Sequence, residues 1–432
     1  MKNYSIMRVC AAKPYLFSFN KYFNEKSTNS KDYASTLSAF QTSGFLTPGS
    51  WSTHIQNLGN QAIDVVPDFT LLQEQWIQEN AGLTTFSKKY SLTDIFLMQI
   101  KYYRPDIIYF ERGGFLTITH ALRKNIKQLF PFVKIITGLW GDELNGNHQY
   151  SDFNDLDLIF CTYPALKYSF EKIGIHSHLN HLCFDDTLSE RIIPNNVSHK
   201  KNDFIFPGTT GYGIDEHRDR YFDLKELLNK TPLQIWTKEE TLSLKTNLIR
   251  SAASLLTHLD LNTLNFFLSL KISRHDERIG HLIGYSIRKK QDPSGSCLFN
   301  WKKHKPLSSL YPERCFPPRF GMDYFELIYN SRIVFNRHRV DKTEFANIRT
   351  FETTGMGACL LTDRANEAAS LFEKDREIVS YESIPEAIEK VNFLLHDEKQ
   401  RQAIADAGKR RTLRDHTAQN RCLKIHEVFV SL

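Results

Sequence analysis

Short apolar runs recur along the chain, each followed by a polar or glycine-bearing turn and then by a longer amphipathic stretch. That alternation predicts βαβ units. Strands are expected over 62–66, 107–110, 133–137 and 157–161, and again over 203–206, 333–336, 358–363 and 377–381. Their near-continuous apolar character requires a sheet covered on both faces, hence a parallel one. Helical spacing of apolar residues predicts helices over 52–58, 93–103, 219–228, 347–354, 367–372, 385–395, 398–407 and 417–430. Gly59, Gly355 and Gly408 read as helix stops. The polar stretch 194–202 is rich in turn formers and reads as a linker, so the pattern predicts two Rossmann-like α/β domains, 1–198 and 199–432. The second is interrupted by a less regular helical insertion over about 238–318.

Composition narrows the class. The chain has 432 residues, 41% hydrophobic and 24% charged, which is the profile of a globular protein. Lys and Arg (55) exceed Asp and Glu (49) by 6, too mild an excess for dedicated nucleic-acid binding. It suits an anionic small molecule or a peripheral contact with a membrane surface. The seven cysteines are scattered with no CxxC pair, so reduced thiols are expected rather than a zinc site or disulfide framework. The N-terminus lacks the apolar core of a signal peptide, and no apolar run approaches the roughly 18–20 residues of a membrane span. A soluble, cytoplasmic protein is the expectation.

Ligands of parallel sheets bind beyond the carboxyl ends of the strands. In the first half this singles out Glu111, Arg112, Gly113, Gly114, Trp140, Asp142 and Tyr163, although Trp140 is also a plausible core aromatic. In the second half a strand feeds a glycine-rich loop containing Gly208, Thr209 and Gly211, with His217, Arg218 and Arg220 beside it. Such a loop can cradle an anion with backbone N–H groups. It matches neither a Walker A sequence nor GxGxxG. Farther on, Glu344 and Glu352 are separated by seven residues, and Arg339 and Arg349 lie nearby. A carboxylate can accept the vicinal hydroxyls of a ribose, and guanidinium groups can neutralise a diphosphate. Arg349 and Glu352 also form an ordinary i, i+3 helix pair.

The segments Asn336-Arg337-His338-Arg339 and Ala346-Asn347-Ile348-Arg349-Thr350-Phe351-Glu352-Thr353-Thr354-Gly355-Met356-Gly357, running on to Asp363, resemble the donor-binding segment of GT-B glycosyltransferases. The similarity is to the "glycosyl transferases group 1" set that includes the CgeB-type proteins. The resemblance implies an acceptor-binding first domain and a second domain that binds a nucleotide-diphosphate sugar, with a terminal helix crossing back to the first. It gives Glu352 the ribose hydroxyls and Glu344 a place beside the sugar. Gly208, Thr209, Gly211, His217, Arg220, His338, Asn347, Arg349, Thr354 and Gly355 complete the expected donor site, and Arg339 is expected to stabilise the leaving diphosphate.

Relatives with this acidic pair retain the anomeric configuration, and retention is the expectation here; an inverting enzyme would need a base such as Asp142 or Glu111. The implied activity is metal-independent hexosyl transfer of the EC 2.4 type, with no cofactor beyond the nucleotide-sugar co-substrate. The acceptor would be a glycan, or a lipid-linked or protein acceptor, in bacterial polysaccharide biosynthesis at the inner face of the membrane. Two other readings share the architecture: an inactive coat or surface binding protein, and a nucleotide-sugar epimerase.

Overall fold

The structure is a computed structural model that describes residues 3–13, 18–20, 32–46, 48–80, 82, 90–142, 150–192, 200–214, 217–238, 260, 262–263, 301–338, 347–363 and 370–432. Six strands, β1 (Ser5–Val9), β2 (Gln61–Val65), β3 (Ile107–Phe110), β4 (Ile135–Trp140), β5 (Ile159–Cys161) and β6 (Ser177–Leu179), form one sheet in the order β2-β1-β3-β4-β5-β6. Six more form a second sheet in the order β12-β11-β10-β7-β8-β9. They are β7 (Asn202–Pro207), β8 (Leu233–Trp236), β9 (Cys315–Phe316), β10 (Ser331–Asn336), β11 (Cys359–Thr362) and β12 (Val379–Ser380). Every pairing in both sheets is parallel. This is the two-sheet α/β architecture of the GT-B fold.

Alternation along each strand explains why both faces are covered. In the second sheet Phe204, Phe206, Ile333, Phe335, Cys359 and Leu361 pack under the helices Arg218–Lys230 and Ile384–His396. Ile205, Val334 and Leu360 point the other way, under Gly321–Tyr329 and Ile348–Gly355. In the first sheet Met7, Val9, Ile108 and Phe110 face one cluster, and Ile6, Ile107 and Tyr109 face another.

Strands β1, β6, β8 and β9 are additions to the elements expected from periodicity. Arg8 interrupts the apolar run of β1, and the other three have only two to four residues. Gly59 does end the helix Trp51–Asn57, with φ +85°. Gly408 does not end a helix: Glu398–Asp415 runs straight through it. A Cβ there would lie 2.4 Å from the Glu377 carbonyl oxygen, so the glycine allows close packing rather than a stop. The linker core 194–199, most of the insertion and the first part of the helix expected over 367–372 lie outside the described residues. Residues 301–316 are integrated into the second lobe, with Trp301 and Leu307 in its core and β9 on its sheet edge. Among the described residues no helix is long and apolar enough to cross a membrane.

Two features join the lobes. The final helix, Ala418–Ser431, leaves the second lobe and buries Cys422, Ile425 and Phe429 against Tyr4, Ile6 and Trp51 of the first. Phe184 pairs with Thr417 by a β-bridge and presses its ring against Gly355, where a Cβ would lie 2.4 Å from it. His416 sits at this seam. The Leu371 carbonyl at 2.9 Å must accept from Nε2–H, so Nδ1 is the acceptor that faces Arg421 Nη2 at 3.1 Å. Arg421 Nε in turn donates to the His181 carbonyl at 2.8 Å. Burial, with nearby Arg421 adding to it, depresses both His416 and His181 to about 4.

A histidine near 6.5 when unfolded and near 4 when folded leaves the unfolded chain holding more protons between those values. The seam contribution is therefore intact above about pH 6.5 and is lost as pH falls toward about 4. Thermal melts across this range should show stability falling with acidification, and the slope should be shallower in His416→Gln. Identical slopes would show that His416 does not carry the effect.

Candidate functional site

A cleft of about 270 Å³ opens at the carboxyl edge of the second sheet and is closed on one side by the first lobe. Pro207 ends β7 and Gly208 follows it, Trp236 ends β8, and Ile348, Arg349 and Glu352 come from the first turns of Ile348–Gly355. Pro318, Phe320, Gly321 and Tyr324 come from the start of Gly321–Tyr329 and the segment before it, while Gly44 and Phe45 are contributed by the first lobe. The Met322 N–H donates to the Ser43 carbonyl at 2.9 Å, fastening the lobes at the rim. Gly44 and Gly321 both have positive φ (+76° and +56°), and a Cβ on Gly321 would lie 2.6 Å from the Phe45 ring. Only glycines allow this crossing.

Glu352 is 8% exposed and lies on the cleft wall. The Tyr324 hydroxyl donates to its Oε2 at 2.7 Å. Burial raises its pKa above the ordinary carboxylate value, and the Tyr324 hydrogen bond and the Arg349 charge only partly counter this. Arg349 is spread over its surroundings: Nη2 donates to the Pro207 carbonyl at 2.8 Å, Nη1 to Asn336 Oδ1 at 3.2 Å, and the guanidinium lies 5.1 Å from the centre of the Phe206 ring. Gly208 lets this guanidinium lie close to the loop backbone, since a Cβ there would stand 2.8 Å from Arg349 Nη2 and push it aside.

Asn336, at the end of β10, ties the site together. Its Oδ1 also accepts from Asn347 Nδ2 at 2.9 Å, its Nδ2 donates to Thr362 Oγ1 at 3.1 Å, and its carbonyl accepts from Tyr381 at 3.0 Å. The helix that starts at Ile348 has neither a side-chain cap nor an acid in its first turn, so its positive end is left for an anion.

Arg220 projects from Arg218–Lys230 and donates to the Arg337 carbonyl at 3.2 Å, with its Nε buried and unpaired. Burial, and the like charges of Arg349 and Arg337, lower it to about 10. Arg337 itself is matched by Asp223 at 2.7 Å and Asp363 at 2.6 Å. Among the described residues neither Arg220 nor Arg349 makes a salt bridge. Positive charge is therefore in excess beside the glycine loop, and an anion would relieve it.

The expected site residues separate into groups. Gly208, Arg349 and Glu352 line the cleft, while Asn347 and Arg220 support it. Thr209 is exposed, and Gly211 has φ +89° against the His217 carbonyl, so these two and His217 shape the loop. His338 is turned to Asp363, with Nδ1 at 2.6 Å. That bond, with Arg337, outweighs burial and holds Asp363 down to about 2. Thr354 bonds Thr412 at 2.6 Å and Gly355 packs on Phe184, so both act in lobe packing rather than on the cleft wall. Arg339 and Glu344 lie outside the described residues.

Asp142 pairs with Arg112 at the edge of the first sheet and does not line the cleft. Glu111 accepts from the fully buried Arg8 at 2.9 Å. Trp140 is core, 1% exposed, and Gly113 and Gly114 allow close packing on Ala11 and Val9. Sequence reasoning missed Tyr324, Trp236 and Phe320. Tyr324 lies one turn before Ile328 on the apolar stripe of its helix, so its spacing is that of a core residue.

With this geometry in place, comparison with known proteins adds two findings. The Glycosyl transferase-like family profile matches residues 272–427. No curated protein sequence matches the chain. Among solved structures, HepE of Anabaena in complex with UDP-glucose superposes with a TM-score of 0.51 at 10% identity, over 99% of this chain and 100% of that one. A glycosyltransferase from Rickettsia africae gives 0.49 at 11% identity over 99% and 98% of the two chains. Sucrose-phosphate synthase from Thermosynechococcus elongatus gives 0.49 at 8% identity over 100% and 99%. Two six-stranded parallel sheets and the overall likeness to HepE make this a GT-B-fold protein, and its residues 272–427 match the glycosyl transferase-like family.

Proposed function

We propose that the chain transfers a hexosyl group from a nucleotide-diphosphate sugar, gripped by the second lobe, to an acceptor presented by the first. The observation that carries this reading is Glu352: a carboxylate held at the wall of an interlobe cleft, with Arg349 acting on it and Arg220 acting on Arg349, neither arginine forming a salt bridge among the described residues. Burying a carboxylate there costs free energy, and accepting the two ribose hydroxyls would offset it. The diphosphate would lie between the Gly208 loop, the start of Ile348–Gly355 and Arg220. Trp236, Pro318 and Phe320 offer flat apolar surfaces for a base. HepE was solved with UDP-glucose, which makes UDP-sugars the first donors to test.

Catalysis on this reading comes from positioning the substrates and stabilising the charge that grows on the departing diphosphate. Retention of configuration, in which the leaving phosphate assists the acceptor, rests on the seven-residue spacing between Glu344 and Glu352. Arg339 and Glu344 are assigned to the leaving group and the sugar on motif spacing. The arginines neutralise the diphosphate, and the acceptor is a glycan or a lipid-linked or protein acceptor.

Two outcomes test the reading. Calorimetry with UDP, GDP, ADP and dTDP should find one tight binder, and Glu352→Gln should weaken it by about tenfold or more. Because a raised native pKa makes Glu352 cost stability as pH rises above its unfolded value, the unliganded variant should melt no lower than wild type at pH 7.5. Unchanged nucleotide affinity in this variant would remove the ribose assignment. In addition, Arg220→Gln should weaken the nucleoside diphosphate far more than the nucleoside; equal losses for both would take Arg220 out of the phosphate site.

A further inference from the structure

Tyr324 is a buried phenol that the transfer chemistry does not use, yet its hydroxyl touches the carboxylate on which donor binding depends. It lies on the first turn of Gly321–Tyr329, lines the cleft and donates to Glu352 Oε2 at 2.7 Å. The Arg349 guanidinium also acts on this hydroxyl and on the carboxylate. The phenol hydrogen bond thus engages Oε2 and sets the rotation of the carboxylate, leaving Oε1 without a hydrogen bond among the described residues. Two residues earlier in the same helix, Met322 N–H is bonded to Ser43 of the first lobe, across the Gly44–Gly321 crossing. The helix therefore touches the opposite lobe with its first residues and the donor carboxylate with its fourth.

We infer that Tyr324 is a positioning residue for the donor: its hydroxyl orients Glu352 so that Oε1 faces the ribose, and the helix carrying it links this orientation to the seating of the first lobe at Ser43. The inference rests on the donor-site reading of Glu352. A phenol suits the role better than a cation. It is a neutral donor, so it fixes the carboxylate without cancelling its charge, and its rigid ring reaches across the cleft without the rotamer freedom of Lys or Arg. Its bond also favours the ionised form of Glu352, which accepts hydroxyl protons at both oxygens.

The test is Tyr324→Phe, which keeps the ring and removes the donor. Binding of the tightest nucleoside diphosphate from the panel should weaken by about tenfold. The acid limb of the affinity profile should move to higher pH, since the variant carboxylate has lost a group that stabilised its charge. In a double-mutant cycle, Tyr324→Phe should cost affinity in wild type and nothing more in Glu352→Gln. A purely structural tyrosine would weaken binding equally in both backgrounds and leave the pH limb in place, and either result overturns the inference. Melting curves of the unliganded variants keep a folding defect from passing as either outcome, because a misfolded chain would lose affinity in both backgrounds. If no nucleotide in the panel binds wild type, the donor-site reading falls and the inference falls with it. Tight binding to wild type with unaltered binding to Tyr324→Phe removes the inference alone.

Discussion

A carboxylate placed where water is scarce must be compensated, and the second lobe is arranged around compensating Glu352. Full neutralisation by a direct arginine fork would leave nothing for a ligand. The lobe instead supplies one phenol hydrogen bond and a guanidinium whose terminal nitrogens are engaged by Pro207 and Asn336. The carboxylate stays above its ordinary pKa and keeps unused capacity to accept protons. This under-compensation favours whatever brings hydroxyl donors into the cleft.

The frame that maintains the imbalance is rigid. Asn336 closes β10 and binds four partners from three segments, so the end of β11, Tyr381 after β12 and the start of Ile348–Gly355 are set relative to one another by one amide and its carbonyl. In the neighbouring cluster Asp223 and Asp363 both pair with Arg337, and Asp363 also accepts from His338, so among the described residues neither acid forms a salt bridge with Arg220 or Arg349. Lobe position enters through packing contacts: Phe184 against Gly355, Ser43 against Met322, and the final helix against Trp51.

Much of the fold was legible because parallel strands are apolar on both faces and stand out from their helices. What escaped were strands too short to show a period, such as β9, or broken by a charge that the fold later buries, as Arg8 does in β1. In the site, Glu352 and Arg349 were visible through local spacing near a strand end, and Gly208 through its loop. Thr354 and Gly355 belong to the same motif, yet a helix rotates by about 100° per residue, and these positions turn away from the cleft toward Thr412 and Phe184. Tyr324 was hidden because its partner is 28 residues distant and its own helix gives it core spacing. Contacts made between elements leave no periodic trace in either one.

The closing helix has a consequence for how the molecule comes into being. Residues 418–431 complete the apolar trough formed by Tyr4, Ile6 and Trp51, but the ribosome delivers them only after the entire second lobe. During synthesis the earlier lobe must wait with that trough uncovered, and cutting the protein at its linker would strand the same surface permanently. Order of manufacture and order of assembly thus run in opposite senses, and the two lobes mature as one unit.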